Sequence, residues 1–360
     1  MKINQTKWRG LQALSLVFAI LFLANCGKKD IETLDPYDYQ SKKFEAVEDI
    51  PDVEDPEPEV QEPETGSVEN PEVTTAAISN LEGAGSEGEI STETKNSLEQ
   101  ISNFSAPLSA DFKTAAKEID EAGLDKILDA DQALDEAFKG AEKALEDAPT
   151  EVLAMLPQME LTEDFDILEE GNRVKAEEVA KFFEERIPNY RMSALTGACS
   201  DAAQQAYDEK IQKLDEQKES ALTVIEENYE RRVTEADERY TTRKANHDEN
   251  YEVELAKLRT SVIALYNVAD KIEAFSASFA ETIRYFAVIY AVHARTTIEV
   301  WCAKVVSMLE AKRDAEKEKA LELKEMRTAQ VMELYNERVE KADELLEAAF
   351  EACHNQGSGN

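Results

Sequence analysis

Residues 208–251 read DEKIQKLDEQK, ESALTVIEENY, ERRVTEADERY and TTRKANHDENY, four consecutive units of eleven. A fifth unit, 252–262, keeps the apolar positions and loses the acidic pair. Aligned, the units place Ile211, Leu222, Val233, Lys244 and Leu255 in one column. A second column holds Leu214, Ile225, Ala236, His247 and Leu258, and a third holds Lys218, Tyr229, Tyr240, Tyr251 and Val262. Eleven residues over three turns is about 3.67 per turn, so such columns stay on one helix face with little or slightly right-handed supercoil. Between 198 and 356 there is no Gly and no Pro, so almost nothing in the local sequence would end a helix. The period returns at Leu309, Ala320, Val331 and Ala342, and again at Leu323, Leu334 and Leu345. Two matching long helices predict an all-α fold built on a long antiparallel coiled-coil hairpin with 11-residue repeats, over 196–354, with a flexible tail at 355–360.

Two cues place the turn. Ser278-Phe-Ala-Glu281 has the S-x-x-E form of a capping box, which would start a helix. In an antiparallel pair the partners' numbers have a constant sum, and Cys199 and Cys353 share a midpoint of 276, two residues from that box. A Cys199–Cys353 disulfide would therefore staple the base of the hairpin. The alternatives are free buried thiols or pairing through Cys302. Thr296-Thr-Ile-Glu299 is a second capping box, whose use would give three helices instead of two.

Upstream, residues 109–195 read as a small collar of short helices. Leu124, Asp131, Phe138 and Leu145 recur every seven residues, as do Ile127, Leu134, Ala141 and Ala148, which makes an a/d seam over three heptads. Val174, Val179, Phe182, Phe183 and Ile187 form a later apolar stripe, read as core. Residues 27–110 carry 21 acids against five bases and seven of the ten prolines, and Pro51 to Glu64 cannot form a helix interior. That stretch lacks the apolar surface to offset its ordering entropy. Residues 26–108 are thus expected to be a disordered, acidic, Pro/Glu-rich tether. Full extension of the 82 residues from Gly27 to Leu108 would reach about 250 Å.

The chain starts with a basic stretch (Lys2, Lys7, Arg9), followed by an apolar run from Leu11 to Ala24 and then Leu23-Ala24-Asn25-Cys26. The run is too short to span a bilayer and suits a signal peptide, here 1–25. It resembles the lipobox of bacterial lipoprotein precursors. The resemblance covers residues 1–26 only and implies lipidation at Cys26, hence a palmitate-type anchor. Gly27 after the cysteine, where Asp would mark retention, implies the outer membrane over the inner. The side, periplasmic or surface-exposed, stays open.

The chain holds 77 acidic against 40 basic residues, a net charge of −37. Such a surface repels phosphate backbones, which excludes nucleic-acid binding. There is no phosphate loop, GxSxG, HExxH or EF-hand loop, and the three histidines are far apart. The paired acids at 215–216, 226–227, 237–238 and 248–249 read as a solvated helix face. No enzyme, metal site or cofactor is expected. Tyr229, Tyr240 and Tyr251 form a stripe that packs across the hairpin or meets a partner helix. The apolar stretch 285–309, with Tyr285, Phe286 and Trp301, must be covered by the collar, or else docks to a partner or inserts in a bilayer. The expected role is a non-enzymatic structural or interaction spacer in the cell envelope. The alternatives are a membrane-active or pore-forming protein using 285–309, or a surface adhesin. The expected partners are the membrane through the lipid anchor, an envelope protein or another cell, and a second copy in a homo-oligomer.

Overall fold

The computed structural model describes residues 37–162 and 197–356. The order is α1 (Asp38–Phe44), β1 (Ser67–Glu69), α2 (Glu72–Gly83), α3 (Thr92–Ser105), α4 (Ala110–Glu118), α5 (Glu121–Leu128), α6 (Glu136–Leu145), α7 (Thr150–Leu153), β2 (Gln158–Glu160), α8 (Ala198–Glu273) and α9 (Ala277–Gln356). The protein is mostly helical, and the 76-residue α8 and 80-residue α9 pack against each other as a hairpin. The turn is Ala274–Ser276, where Ser276 donates its N–H to the Ile272 carbonyl at 2.8 Å and accepts from Ala280 at 3.1 Å. It falls on the midpoint of the two cysteines, but Ser278 is already inside α9. Glu281 accepts instead from Lys117 Nζ at 2.8 Å. The second box is unused as a start: α9 runs through it, with Glu299 3.4 Å from Arg295 Nε.

The described residues form two compact units. The first holds 37–55, 197–225 and 326–356. Its core is Phe44, Val47, Ile50, Ala203, Ala206, Tyr207, Leu214, Val339, Ala342, Leu346, Ala349 and Phe350. The helices meet in antiparallel order, with Tyr207 donating to Asp343 and Tyr335 to Asp215, each at 2.8 Å. A smaller cluster of Ala221, Ile225 and Val331 takes Val53 on top.

The second unit holds 56–162 and 226–325. Here α2 to α7 cover the apolar stretch of α9. Val288, Ile289, Ala291, Ile298, Trp301, Val305, Met308 and Leu309 are all buried, together with Leu81, Leu98, Phe112, Leu124, Phe138 and Leu156 of the cover. Side chains of this size contribute about 1.5–3 kcal/mol each when fully removed from water. The cover's helices begin where short polar side chains satisfy orphan N–H groups. Ser91 accepts from Thr94 N, Ser109 from Phe112 N, Asp120 from Gly123 N and Asp135 from Ala137 N. Strands β1 and β2 pair antiparallel, with Val68 opposite Met159, and join the two ends of the cover. Gly66 leads into β1 at φ +65°, and a Cβ there would lie 2.1 Å from the Glu160 carbonyl oxygen. Both the left-handed backbone and the close approach require glycine.

Four expectations change. The disordered tether of 26–108 does not describe residues 37–108, which hold α1 to α3 and the buried Phe44, Val47, Ile50, Val68, Leu81, Leu98 and Ile101. Judged alone, the segment has too little apolar surface; its partners are supplied by α8, α9 and the rest of the cover. The collar accordingly begins near residue 67, not 109. Its heptad seam is not one helix either. Asp129 Oδ1 accepts from Asp131 N at 3.0 Å, a local turn that breaks the run between α5 and α6. At the other end α9 continues to Gln356, so 355–356 are helical rather than tail. The signal peptide, Cys26, the stripe from Val174 to Ile187 and residues 357–360 lie outside the described residues.

Candidate functional site

In the first unit, α1 sits on the disulfide. Cys199 and Cys353 are bonded, with Cα atoms 5.8 Å apart. Gln40, fully buried, donates Nε2 to both sulfurs at 3.5 and 3.4 Å, and the Tyr39 hydroxyl lies 3.4 Å from Cys199 Sγ. The chain after α1 stays on the helices. Asp49 accepts from Lys210 at 2.8 Å and from Lys213 at 2.6 Å, and Ile50 N donates to Gln217 at 3.1 Å. The two lysine hydrogen bonds hold the Asp49 carboxyl at about 2. Glu48 pairs with Arg338 at 2.7 Å and Asp55 with Arg327 at 3.9 Å.

In the second unit, residues 56–65 form a strap along α8. Glu57 accepts from Arg231 and from Arg232 Nε, the latter at 3.3 Å. Glu62 takes a two-pronged bond from Arg243, Nε at 2.9 Å and Nη2 at 3.1 Å, while Arg243 Nη1 reaches Glu316 at 2.8 Å. Such paired charge-assisted bonds are the strong kind. The Thr65 carbonyl accepts from Trp301 Nε1 at 3.0 Å. Hydrogen bonds from Arg231 and Arg243, respectively, lower the Glu57 and Glu62 carboxyls. Burial pulls Arg243 down, but the bonds to Glu62 and Glu316 outweigh it and raise the group. Arg232 and Arg243 are 4% and 7% exposed, whereas every strap residue from 56 to 65 keeps partial or full contact with solvent. Prolines at 56, 58 and 63 suit this: they remove N–H donors that an unpaired extended segment would otherwise have to satisfy. Between the strap and the helices lies a cavity of about 280 Å³ lined by Glu57 to Gln61, Arg239, Lys312 and Lys319, among others.

Arg232 and Arg243 belong to a column outside the three named above: Ala221, Arg232, Arg243, Glu254 and Leu265, eleven apart and all buried. Two arginines at the helical repeat distance in so acidic a chain were the available signal.

The tyrosine stripe finds its contacts inside the molecule. Lys324 lies over the Tyr229 ring at 4.5 Å, and Arg313 over the Tyr240 ring at 4.9 Å. Tyr251 packs against the second unit's core, beside Asp129 and Arg259. Tyr285, Phe286 and Trp301 are core residues rather than a surface: Tyr285 meets Phe112 with ring centres 6.0 Å apart, Phe286 meets Tyr290 at 5.8 Å, and Trp301 is fully buried. His247 packs on Trp301 with ring centres 4.8 Å apart, and neither of its ring nitrogens has a hydrogen-bond partner among the described residues. Burial lowers its pKa, and it does the same for His293, whose Nε2 is 3.1 Å from the Pro157 carbonyl. Cys302 is a free, half-buried thiol whose pKa burial raises. Among the described residues no helix is long and apolar enough to cross a membrane, and no group of three or more His, Cys, Asp or Glu side chains could hold a metal ion. Comparison with protein-family models, curated proteins and solved structures found no match.

Proposed function

We propose that the protein is an envelope lipoprotein, anchored through Cys26, that serves as a non-enzymatic structural and interaction spacer through its helical hairpin. One observation carries the mechanical part: Gln40 is seated on the Cys199–Cys353 disulfide. Cys26 and Gln40 are 14 residues apart in sequence, a reach of at most about 50 Å. An acyl anchor at Cys26 thus holds the disulfide end of the first unit near the bilayer, far closer than a free 82-residue tether would. Two or three acyl chains meet the requirement for stable attachment. The disulfide supports an oxidising compartment, as export would provide. Burial of Leu214, Ile225, Ala236, His247 and Leu258, eleven apart, supports a hendecad coiled coil in α8. The structural role is supported by where the charges go: Asp215, Glu226 and Asp237 pair with Lys218, Lys324 and Lys317 inside the chain.

The test is metabolic labelling with an alkyne fatty acid, comparing the wild type with Cys26→Ser. The proposal expects label and membrane fractionation in the wild type and neither in the variant. An unlabelled wild type, or a variant that still fractionates with membranes, refutes it. Protease shaving of whole cells then separates a periplasmic spacer from a surface-displayed one.

A further inference from the structure

The strap and the helix beneath it share a register. Glu57 and Glu62 are five residues apart, and five extended residues span about 17 Å. Arg232 and Arg243 are eleven apart on α8, and eleven helical residues span about 16.5 Å. The two carboxylates therefore meet the two arginines in turn. The ends of the strap are also held through its backbone, the Pro56 carbonyl accepting from Arg232 Nη2 at 3.3 Å, the Glu64 carbonyl from Thr162 Oγ1 at 2.6 Å and the Thr65 carbonyl from Trp301 Nε1 at 3.0 Å, but none of residues 56–65 is buried, and Glu57 to Gln61 roof a cavity of about 280 Å³. The covered face carries a basic excess, with Arg231, Arg239, Lys312 and Lys319 around the two arginines against Glu235 and Glu316, in a chain of net charge −37.

We propose that this face of the second unit is a docking groove for an extended acidic segment of a partner protein, one bearing two carboxylates five residues apart, and that residues 56–65 are its intramolecular occupant. Charge complementarity and the register define the ligand. The strap shows the chemistry the groove accepts, and its attachment at both ends sets an effective concentration of the order of mM that a partner must exceed. The inference goes beyond the spacer reading and does not depend on the anchor.

The experiment uses the full chain with Cys26→Ser and a fluorescein-labelled peptide of residues 56–66, PEPEVQEPETG, read by fluorescence anisotropy at low salt. The strap is weakened in the protein by Glu57→Gln with Glu62→Gln. That variant is expected to bind the peptide at least tenfold more tightly than the chain with its native strap. Adding Arg243→Gln abolishes the gain, and a peptide with the same two glutamates replaced by glutamine does not bind. Equal binding with and without the strap substitutions, or equal binding of the glutamine peptide, overturns the proposal. Circular dichroism checks that the double variant keeps its helix content. If it does not, Glu62→Gln alone gives the same comparison, with a gain of at least threefold expected and no gain refuting it.

Discussion

Opening the Cys199–Cys353 bond tests the hairpin where its two ends meet. The bond closes a loop with a sequence separation of 154. In the chain-entropy account, cross-linking a loop of that length removes enough freedom from the unfolded chain to stabilise the fold by about 5 kcal/mol at 25 °C, and measured bonds usually deliver about 2–4 kcal/mol. The structure adds a local effect, because Gln40 donates to both sulfurs and α1 is seated over them. Replacement with Cys199→Ser and Cys353→Ser should therefore lower the unfolding free energy by about 2–5 kcal/mol. The assay is urea unfolding followed by circular dichroism at 222 nm. The fluorescence of Trp301, which lies in the second unit, is recorded in parallel. The loss should concentrate in the transition of the first unit, where the bond lies. A loss below about 1 kcal/mol, or one confined to the Trp301 signal, would refute the reasoning.

Trp301→Ala removes a fully buried indole, its contact with His247 and its hydrogen bond to Thr65, and should cost about 3–5 kcal/mol in urea unfolding. His247 and His293 both have lowered pKa values, so below about pH 6.5 the unfolded chain takes up protons that the folded chain does not, and stability falls as pH falls. His247→Leu should flatten, without abolishing, the fall in the urea midpoint between pH 7.5 and 5, since His293 contributes with the same sign. Gly66→Ala forces a side chain into a left-handed position against the Glu160 carbonyl and should cost about 1–3 kcal/mol, read as a lower thermal midpoint.

The parts legible in the sequence were those set by local period and by arithmetic along one helix. The eleven-residue columns and the lack of Gly and Pro mark α8 and α9, and the cysteine midpoint lands in the turn at Ala274–Ser276. The capping box misled by two residues, because an S-x-x-E pattern does not say whether its glutamate has a better partner, here Lys117. The strap was the larger miss. Its prolines and its lack of apolar surface argued for a free tether. The arginines that take up Glu57 and Glu62 lie 174 to 181 residues further along the chain. No local window joins them, although the eleven-residue spacing of Arg232 and Arg243 was visible. Tyr285, Phe286 and Trp301 were ambiguous for a related reason. An all-round apolar helix demands a cover, and only the packed structure shows that α2 to α7 supply it.

The account turns on the acidic segment being clamped to the helices instead of trailing free. Zero-length carbodiimide coupling, which joins a carboxylate to an amine in direct contact, tests this when the products are mapped by mass spectrometry. Asp49 lies 2.8 Å from Lys210 and 2.6 Å from Lys213, and Glu226 lies 2.6 Å from Lys324 as an internal reference between α8 and α9. The account predicts Asp49 cross-linked to Lys210 or Lys213 with a yield comparable to the Glu226–Lys324 product. The reference product without any Asp49 product would contradict it.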